Sequence, residues 1–137
     1  GIHGFMNSST YKRYCDEKGV TIFTARTVRK RGIEAVMEDA IRIAGDGTDS
    51  IYVSLDIDCL SSAYAPGTSA SSPEGMEVWD LLEALFILGQ HKKVRALDVV
   101  CIDPLRDLRD STAKAGASII LTFMGGYVIR KTGGRGY

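Results

Sequence analysis

Asp56 and Asp58, two carboxylates two positions apart, are the residues of this chain best placed to do chemistry. They lie in Ser50–Pro66, S-I-Y-V-S-L-D-I-D-C-L-S-S-A-Y-A-P, where Ile51, Val53, Leu55 and Ile57 alternate with Tyr52, Ser54, Asp56 and Asp58. Period-two alternation of β-formers after the turn-like Gly45-Asp46-Gly47-Thr48 run predicts a strand. Side chains at i and i+2 share a face, so the carboxylates would stand roughly 7 Å apart at Cα, at the strand's carboxyl end. They repel each other unless one is protonated, both are solvated, or a cation sits between them. Ligands of open α/β sheets gather at the carboxyl ends of strands. D-x-D alone also describes a strand running out into solvent, because so short a motif arises often by chance.

Other reactive residues are few. The histidines are His3 and His91, and His91 falls in the polar turn Gly89-Gln90-His91-Lys92-Lys93, where a surface position is the simplest reading. Cys15, Cys59 and Cys101 are odd in number and lack C-x-x-C spacing, which indicates neither a disulfide framework nor a zinc knuckle. Reduced thiols in an intracellular, cytoplasmic protein fit that usage. A nucleophilic Cys101 would need a base, and no histidine is placed to serve it, so a plain strand-end cysteine is the expectation.

The elements that must position these residues can be read in order. Gly1–Phe5 resembles a strand, Asn7-Ser8-Ser9 supplies N-caps for a helix from about Thr10 to Lys18, and Gly19 would end it. Val20–Thr24 reads as a strand, followed by a basic turn. Ile33, Val36, Met37, Ala40, Ile41 and Ala44 then make one stripe of an amphipathic helix that feeds the Asp56 strand. Past the Pro66-Gly67-Thr68 loop, Ser72-Pro73-Glu74 looks like a helix start, with Val78, Leu81, Leu82 and Leu85 as its stripe up to about Gly89. Val94–Ile102 predicts a further strand, ended by Asp103-Pro104. A last helix carries Ala113, Gly116, Ala117, Ile120, Leu121 and Met124, apolar around so much of its circumference that deep burial is expected. Residues 132–137 form a glycine-rich tail too loose to be ordered alone. Alternating strands and helices imply an α/β fold with a parallel sheet covered on both faces. About four strands make a small sheet.

The totals narrow the function classes. With 17 basic and 17 acidic residues in 137, and no long run of either sign, a polyanion or acidic membrane surface is not indicated as a partner. Lys12-Arg13, Arg29-Lys30-Arg31 and Arg130-Lys131 read as solvated helix ends. No uninterrupted apolar stretch of eighteen residues and no signal-peptide pattern is present, so no membrane association is expected. Neither G-x-G-x-x-G nor a P-loop occurs, which argues against a nucleotide-binding domain.

S-L-D-I-D-C-L-S-S-A-Y-A-P-G-T resembles the metal-binding signature of the ureohydrolases, the arginase, agmatinase and formimidoylglutamase family. Gly1–Ser8 is similar to that family's G-I-R-G-F-x-N-S segment, with His3 for the arginine. Val94–Pro104, with Asp107 and Thr112-Ala113, resembles its D-V-V-E-V-N-P…D…T-A block. The likeness runs from residue 1 to about 131, as a single C-terminal half of such a domain. It implies a three-layer α/β arginase-like fold, of which this is the C-terminal portion, and trimeric or hexameric assembly. The implied site holds two Mn²⁺ bridged by hydroxide that hydrolyses a small linear amidine, with Asp56 bridging both metals and Asp58 binding one.

Departures from the family pattern are as informative. The family's upstream histidine and D-A-H-x-D ligands have no counterpart here, so the missing N-terminal half would have to supply them. The substrate-binding positions are altered: Cys101 stands for the glutamate that pairs with guanidinium, and Ala70 for a threonine. Ser61-Ser62 replaces D-P, and the loop to Pro73 is more like the S-A-x-S-P form of formimidoylglutamase-like members. Two readings stay open, part of a manganese-dependent amidine hydrolase and a non-catalytic ureohydrolase-like module acting in assembly.

Overall fold

Ser8 starts the first helix in the computed structural model, which describes residues 8–134. Its Oγ accepts the Thr10 N–H at 3.2 Å and caps α1 (Ser9–Glu17), none of whose residues is buried. The expected strand at Gly1–Phe5 lies outside the described residues, as do the last three residues of the tail.

Val20–Thr24 is not a strand. β-propensity reports fit to a neighbouring ladder, and among the described residues no strand lies beside this segment. Thr24 serves as a cap instead, its Oγ1 accepting the Thr27 N–H at 3.1 Å to start α2 (Ala25–Arg31). The supposed basic turn is thus a short helix with Arg29, Lys30 and Arg31 in its last turn, where cations complement the carbonyl end of the helix. Gly32, at φ 82°, makes the sharp step into α3 (Ile33–Gly45). Such a φ suits glycine because a Cβ would clash there.

The sheet has two parallel strands among the described residues, β1 (Ile51–Asp56) and β2 (Val94–Val100), paired from Tyr52 with Ala96 to Asp56 with Val100. α4 (Val78–Gln90) lies between them in sequence, and α5 (Ser111–Thr132) follows β2. Ile51, Leu55 and Val94 are buried in one cluster with Val36 of α3, Leu81, Leu85 and Leu88 of α4, and Ile119 of α5. On β1 the alternate residues Tyr52 and Ser54 are exposed. The expectation of a sheet covered on both faces therefore does not hold within the described residues. Lys93 fixes the entry to the sheet, its Nζ donating to the Gly45 and Thr48 carbonyls at 2.7 and 2.8 Å.

α4 begins at Val78 rather than at the Ser72-Pro73-Glu74 signal. That tripeptide is held in a turn across the loop after β1: Ser62 N–H donates to Ser72 O and Ser61 Oγ to Pro73 O. Gly75 lies so close to Leu60 that a Cβ would come within 2.3 Å of its carbonyl carbon. His91 is half-buried rather than a free surface residue, because it follows α4 directly and Arg130 of α5 donates to its carbonyl oxygen. Desolvation, with Lys93, Lys92 and Arg130 nearby, pushes its pKa below the usual histidine value.

α5 departs most from expectation. Its buried residues are Thr112, Gly116, Ile119 and Gly126, whereas Leu121 and Met124 are 67% and 55% exposed and Ala113, Ala117 and Ile120 are exposed too. Small residues decide which face packs. A Cβ on Gly126 would lie 2.3 Å from the Phe86 carbonyl oxygen, and one on Gly89 would lie 2.2 Å from that of Phe123. The two helices meet backbone to backbone there, and the larger apolar residues face away. By length and composition α5 could cross a membrane; its Gly126 face packs on α4, and its larger apolar residues stay exposed.

Candidate metal centre

The site is built where β1 ends. Leu55 holds the strand in the core, and the chain then tightens into one turn of 3-10 helix at Ile57–Cys59. Asp58 is therefore not on the strand beside Asp56, as the alternation suggested. A local side-chain bond overrides the pleat: Asp56 Oδ1 accepts the Asp58 N–H at 2.9 Å and so caps the turn. Ile57 and Leu60, both fully buried, anchor the turn on either side.

The turn still brings the carboxylates together, and it buries one of them. Asp58 is 6% exposed, and its Oδ1 has no hydrogen-bond partner. An unsatisfied buried oxygen costs about 1–3 kcal/mol, a defect that persists where it serves a purpose. Parallel pairing sets Asp56 beside Val100, which puts Cys101 at the carboxyl end of the neighbouring strand. Cys101 has φ 68°, a left-handed conformation uncommon outside glycine. Its Sγ and one carboxylate oxygen each of Asp56 and Asp58 lie within 4.8 Å of one another. The Asp56 carboxylate facing it pushes the Cys101 thiol up, with desolvation and the charge of Asp58 adding to it. Burial, then the charge of Asp56, pushes the neighbouring Cys59 thiol to about 11. All three cysteines are free, and Cys101 is the exposed one.

Ala70, the other altered position, is exposed in the loop after the turn, its N–H donated to Thr68 Oγ1 at 3.2 Å. What holds that loop is a residue pair that spacing alone does not reveal. Thr112 Oγ1, in the first turn of α5, accepts the Gly67 N–H at 2.7 Å, and Gly67 O accepts the Asp103 N–H at 2.8 Å. Asp107 packs so closely on Gly67 that a Cβ there would come within 2.6 Å of it. Its carboxylate accepts the N–H groups of Thr112 and Ala113, both at 3.0 Å, which would otherwise be orphaned at the helix start. The sequence signals of this clamp were the proline-glycine loop and the likeness of Asp107 and Thr112-Ala113 to the family's D…T-A block, neither of which tells that they hold one another.

Asp107 makes the fold pH-sensitive in a defined window. Burial opposes its charge, but the Thr112 and Ala113 N–H groups, the Thr112 hydroxyl and the Leu108 N–H outweigh it and hold the carboxyl at about 2, below the ordinary 3.8. A depressed folded-state pKa contributes stability that is complete above pH 3.8 and is lost as the pH falls to about 2. Asp107→Asn should therefore flatten the acid limb of an unfolding-versus-pH profile between those values. An unchanged limb would mean that the clamp does not depend on the charge.

The carboxylate pair suits a hard divalent cation such as Mn²⁺. The unpaired Asp58 oxygen is the observation that fits a metal here, although two carboxylates and one thiol cannot close a binuclear site.

Comparison with known proteins agrees with the fold. The Arginase family model matches residues 1–126. Formimidoylglutamase of Halalkalibacterium halodurans is 38% identical over 133 residues, 97% of this chain and 42% of that protein. Arginase of Bacillus caldovelox is 28% identical over 114 residues, 83% of this chain and 38% of that protein. The crystal structure of formimidoylglutamase from Bacillus subtilis superposes with a TM-score of 0.88 at 34% identity, covering 93% of this chain and 40% of that one. The chain thus spans about two fifths of the length of the curated relatives it matches. With a family model spanning nearly all of it and an arginase-like fold, the chain belongs to the arginase family.

Proposed function

We propose that this chain is the part of a manganese-dependent amidine hydrolase that contributes Asp56 and Asp58 to the metal centre, the remaining ligands coming from residues outside it. The observation that carries the reading is the Asp58 oxygen, buried without a partner beside a second carboxylate at the carboxyl end of a parallel strand. A metal ion bound there supplies a Lewis acid that lowers the pKa of water toward neutrality. The chain's own residues do the positioning. Asp56 spends Oδ1 on the Asp58 N–H, which fixes its rotamer and leaves its other oxygen for a cation. Asp58 brings a charge already stripped of water, so its attraction to a cation is less screened than at the surface.

Of the amidines, a formimidoylglutamase-type substrate is favoured by the relatives of that name, at 38% and 35% identity. Cys101 supports it, because a cysteine in place of a carboxylate gives a guanidinium no carboxylate partner. The test uses the longest natural polypeptide carrying this chain, assayed with Mn²⁺ on formimidoylglutamate, arginine, agmatine and guanidinobutyrate. Hydrolysis of at least one, lost in Asp56→Ala, is expected. Turnover of none would favour the non-catalytic module instead.

A further inference from the structure

The amidine-hydrolase reading leaves Cys101 without a positive role, yet several independent features converge on its sulfur. Register with β1 delivers it beside Asp56, and its backbone takes up a left-handed conformation there. Its side chain is exposed, so it is neither a core filler nor shielded from a solute. Its Sγ and the two carboxylate oxygens lie within 4.8 Å of one another. Donors on one ion sit about 2.0–2.3 Å from it, so small side-chain rotations would bring all three onto a single centre. Asp58, more than nine-tenths buried and with an unpartnered oxygen, independently marks the spot as one whose buried charge a cation would satisfy.

We propose that Cys101 is a third, thiolate ligand of the Asp56–Asp58 centre, and that it biases the centre toward thiophilic divalent ions, Zn²⁺ and Co²⁺, relative to Mn²⁺. This rests on the reading of the two carboxylates as metal ligands. Soft sulfur donors select zinc-like ions, whereas carboxylates alone suit manganese. Binding forms an M–S bond and releases the thiol proton to solvent, with no change of oxidation state. The consequence is a site at which Zn²⁺ displaces Mn²⁺ through one side chain.

Cobalt spectroscopy separates the possibilities. Co²⁺ is added to metal-free protein, in the longest natural polypeptide carrying this chain, with a phosphine as reductant. A near-ultraviolet sulfur-to-cobalt charge-transfer band is expected, absent in Cys101→Ser and retained in Cys59→Ser. Zn²⁺ affinity should fall at least about tenfold in Cys101→Ser, as loss of a contact at a metal site commonly costs that much. Mn²⁺ affinity should change by less than about threefold, since oxygen donors dominate its binding. Serine preserves size at an exposed position, so folding is not at stake. Bound cobalt without the charge-transfer band, or equal Zn²⁺ affinity in the two proteins, overturns the thiolate ligand and leaves the carboxylate centre standing. Failure to bind cobalt, zinc or manganese at all overturns the carboxylate centre itself, and this proposal with it.

Discussion

Asp58→Asn is expected to make the metal-free protein more stable while destroying its affinity for divalent ions. In the folded chain the Asp58 carboxylate is buried and Oδ1 has no partner, so folding pays a desolvation penalty with incomplete return. Asparagine keeps the shape and removes the charge, which should raise metal-free stability by about 1 kcal/mol in urea unfolding, the low end of the cost of an unsatisfied buried group. Metal affinity should fall by about a hundredfold or more, since removing a ligand costs at least what removing its support does. The two proteins should then reverse their order when Mn²⁺ is added, because only the wild type gains stability by binding. A metal-free variant less stable than wild type would show that Asp58 serves the fold and not a cation.

Adjacent glycines of α5 should respond in opposite directions to the same substitution. At Gly126 a Cβ would meet the Phe86 carbonyl oxygen at 2.3 Å, and positions near Gln90 N and Gly89 Cα at 3.2 Å are also crowded. These are backbone atoms, so no rotamer change can relieve the clash, and α5 must move off α4. Gly126→Ala should therefore cost about 3 kcal/mol or more, the upper range for overpacking a core, and release the Ile119 side of the helix from the cluster. At Gly125 nothing lies within 4 Å of the added carbon. Gly125→Ala should stabilise by up to about 1 kcal/mol through helix propensity alone. Thermal or urea unfolding of the pair checks this. Equal effects at the two positions would contradict the helix contact described here.

The parts of the fold that were legible in the sequence are those where one local pattern and the tertiary structure agree. The α3 stripe became a helix, and the strands expected from Ile51 and from Val94 both formed, ending at Asp56 and at Val100 rather than at Asp58 and Ile102. The similarity to arginase-family motifs led to the family and to the fold. The misreadings share a cause, a signal settled by a contact distant in sequence. Val20–Thr24 has strand composition without a described ladder partner, and Ser72-Pro73-Glu74 has cap chemistry in a turn tied to Ser61 and Ser62. On α5 the large apolar residues suggested the buried face, but Gly116 and Gly126 chose it by permitting close approach.

At the site, the two carboxylates were legible as a pair while their geometry was not. Alternation carried Asp58 onto the strand, whereas the Asp56 side chain folds the backbone into a turn that buries Asp58. That burial gives the pair its chemical interest, and no periodicity encodes it. Cys101 was visible as a departure from the family's pattern. Only the register between β1 and β2 shows its sulfur within 4.8 Å of both carboxylates.

Metal content per chain decides whether Asp56 and Asp58 hold a cation. The longest natural polypeptide carrying this chain would be stripped of metal, re-equilibrated with Mn²⁺, freed of excess and analysed for bound ions, with Asp56→Ala treated in parallel. Tightly bound manganese is expected in the wild type, and its loss in Asp56→Ala with the fold intact. Absence of bound metal in the wild type, or full retention in Asp56→Ala, would contradict the assignment of Asp56 and Asp58 as metal ligands.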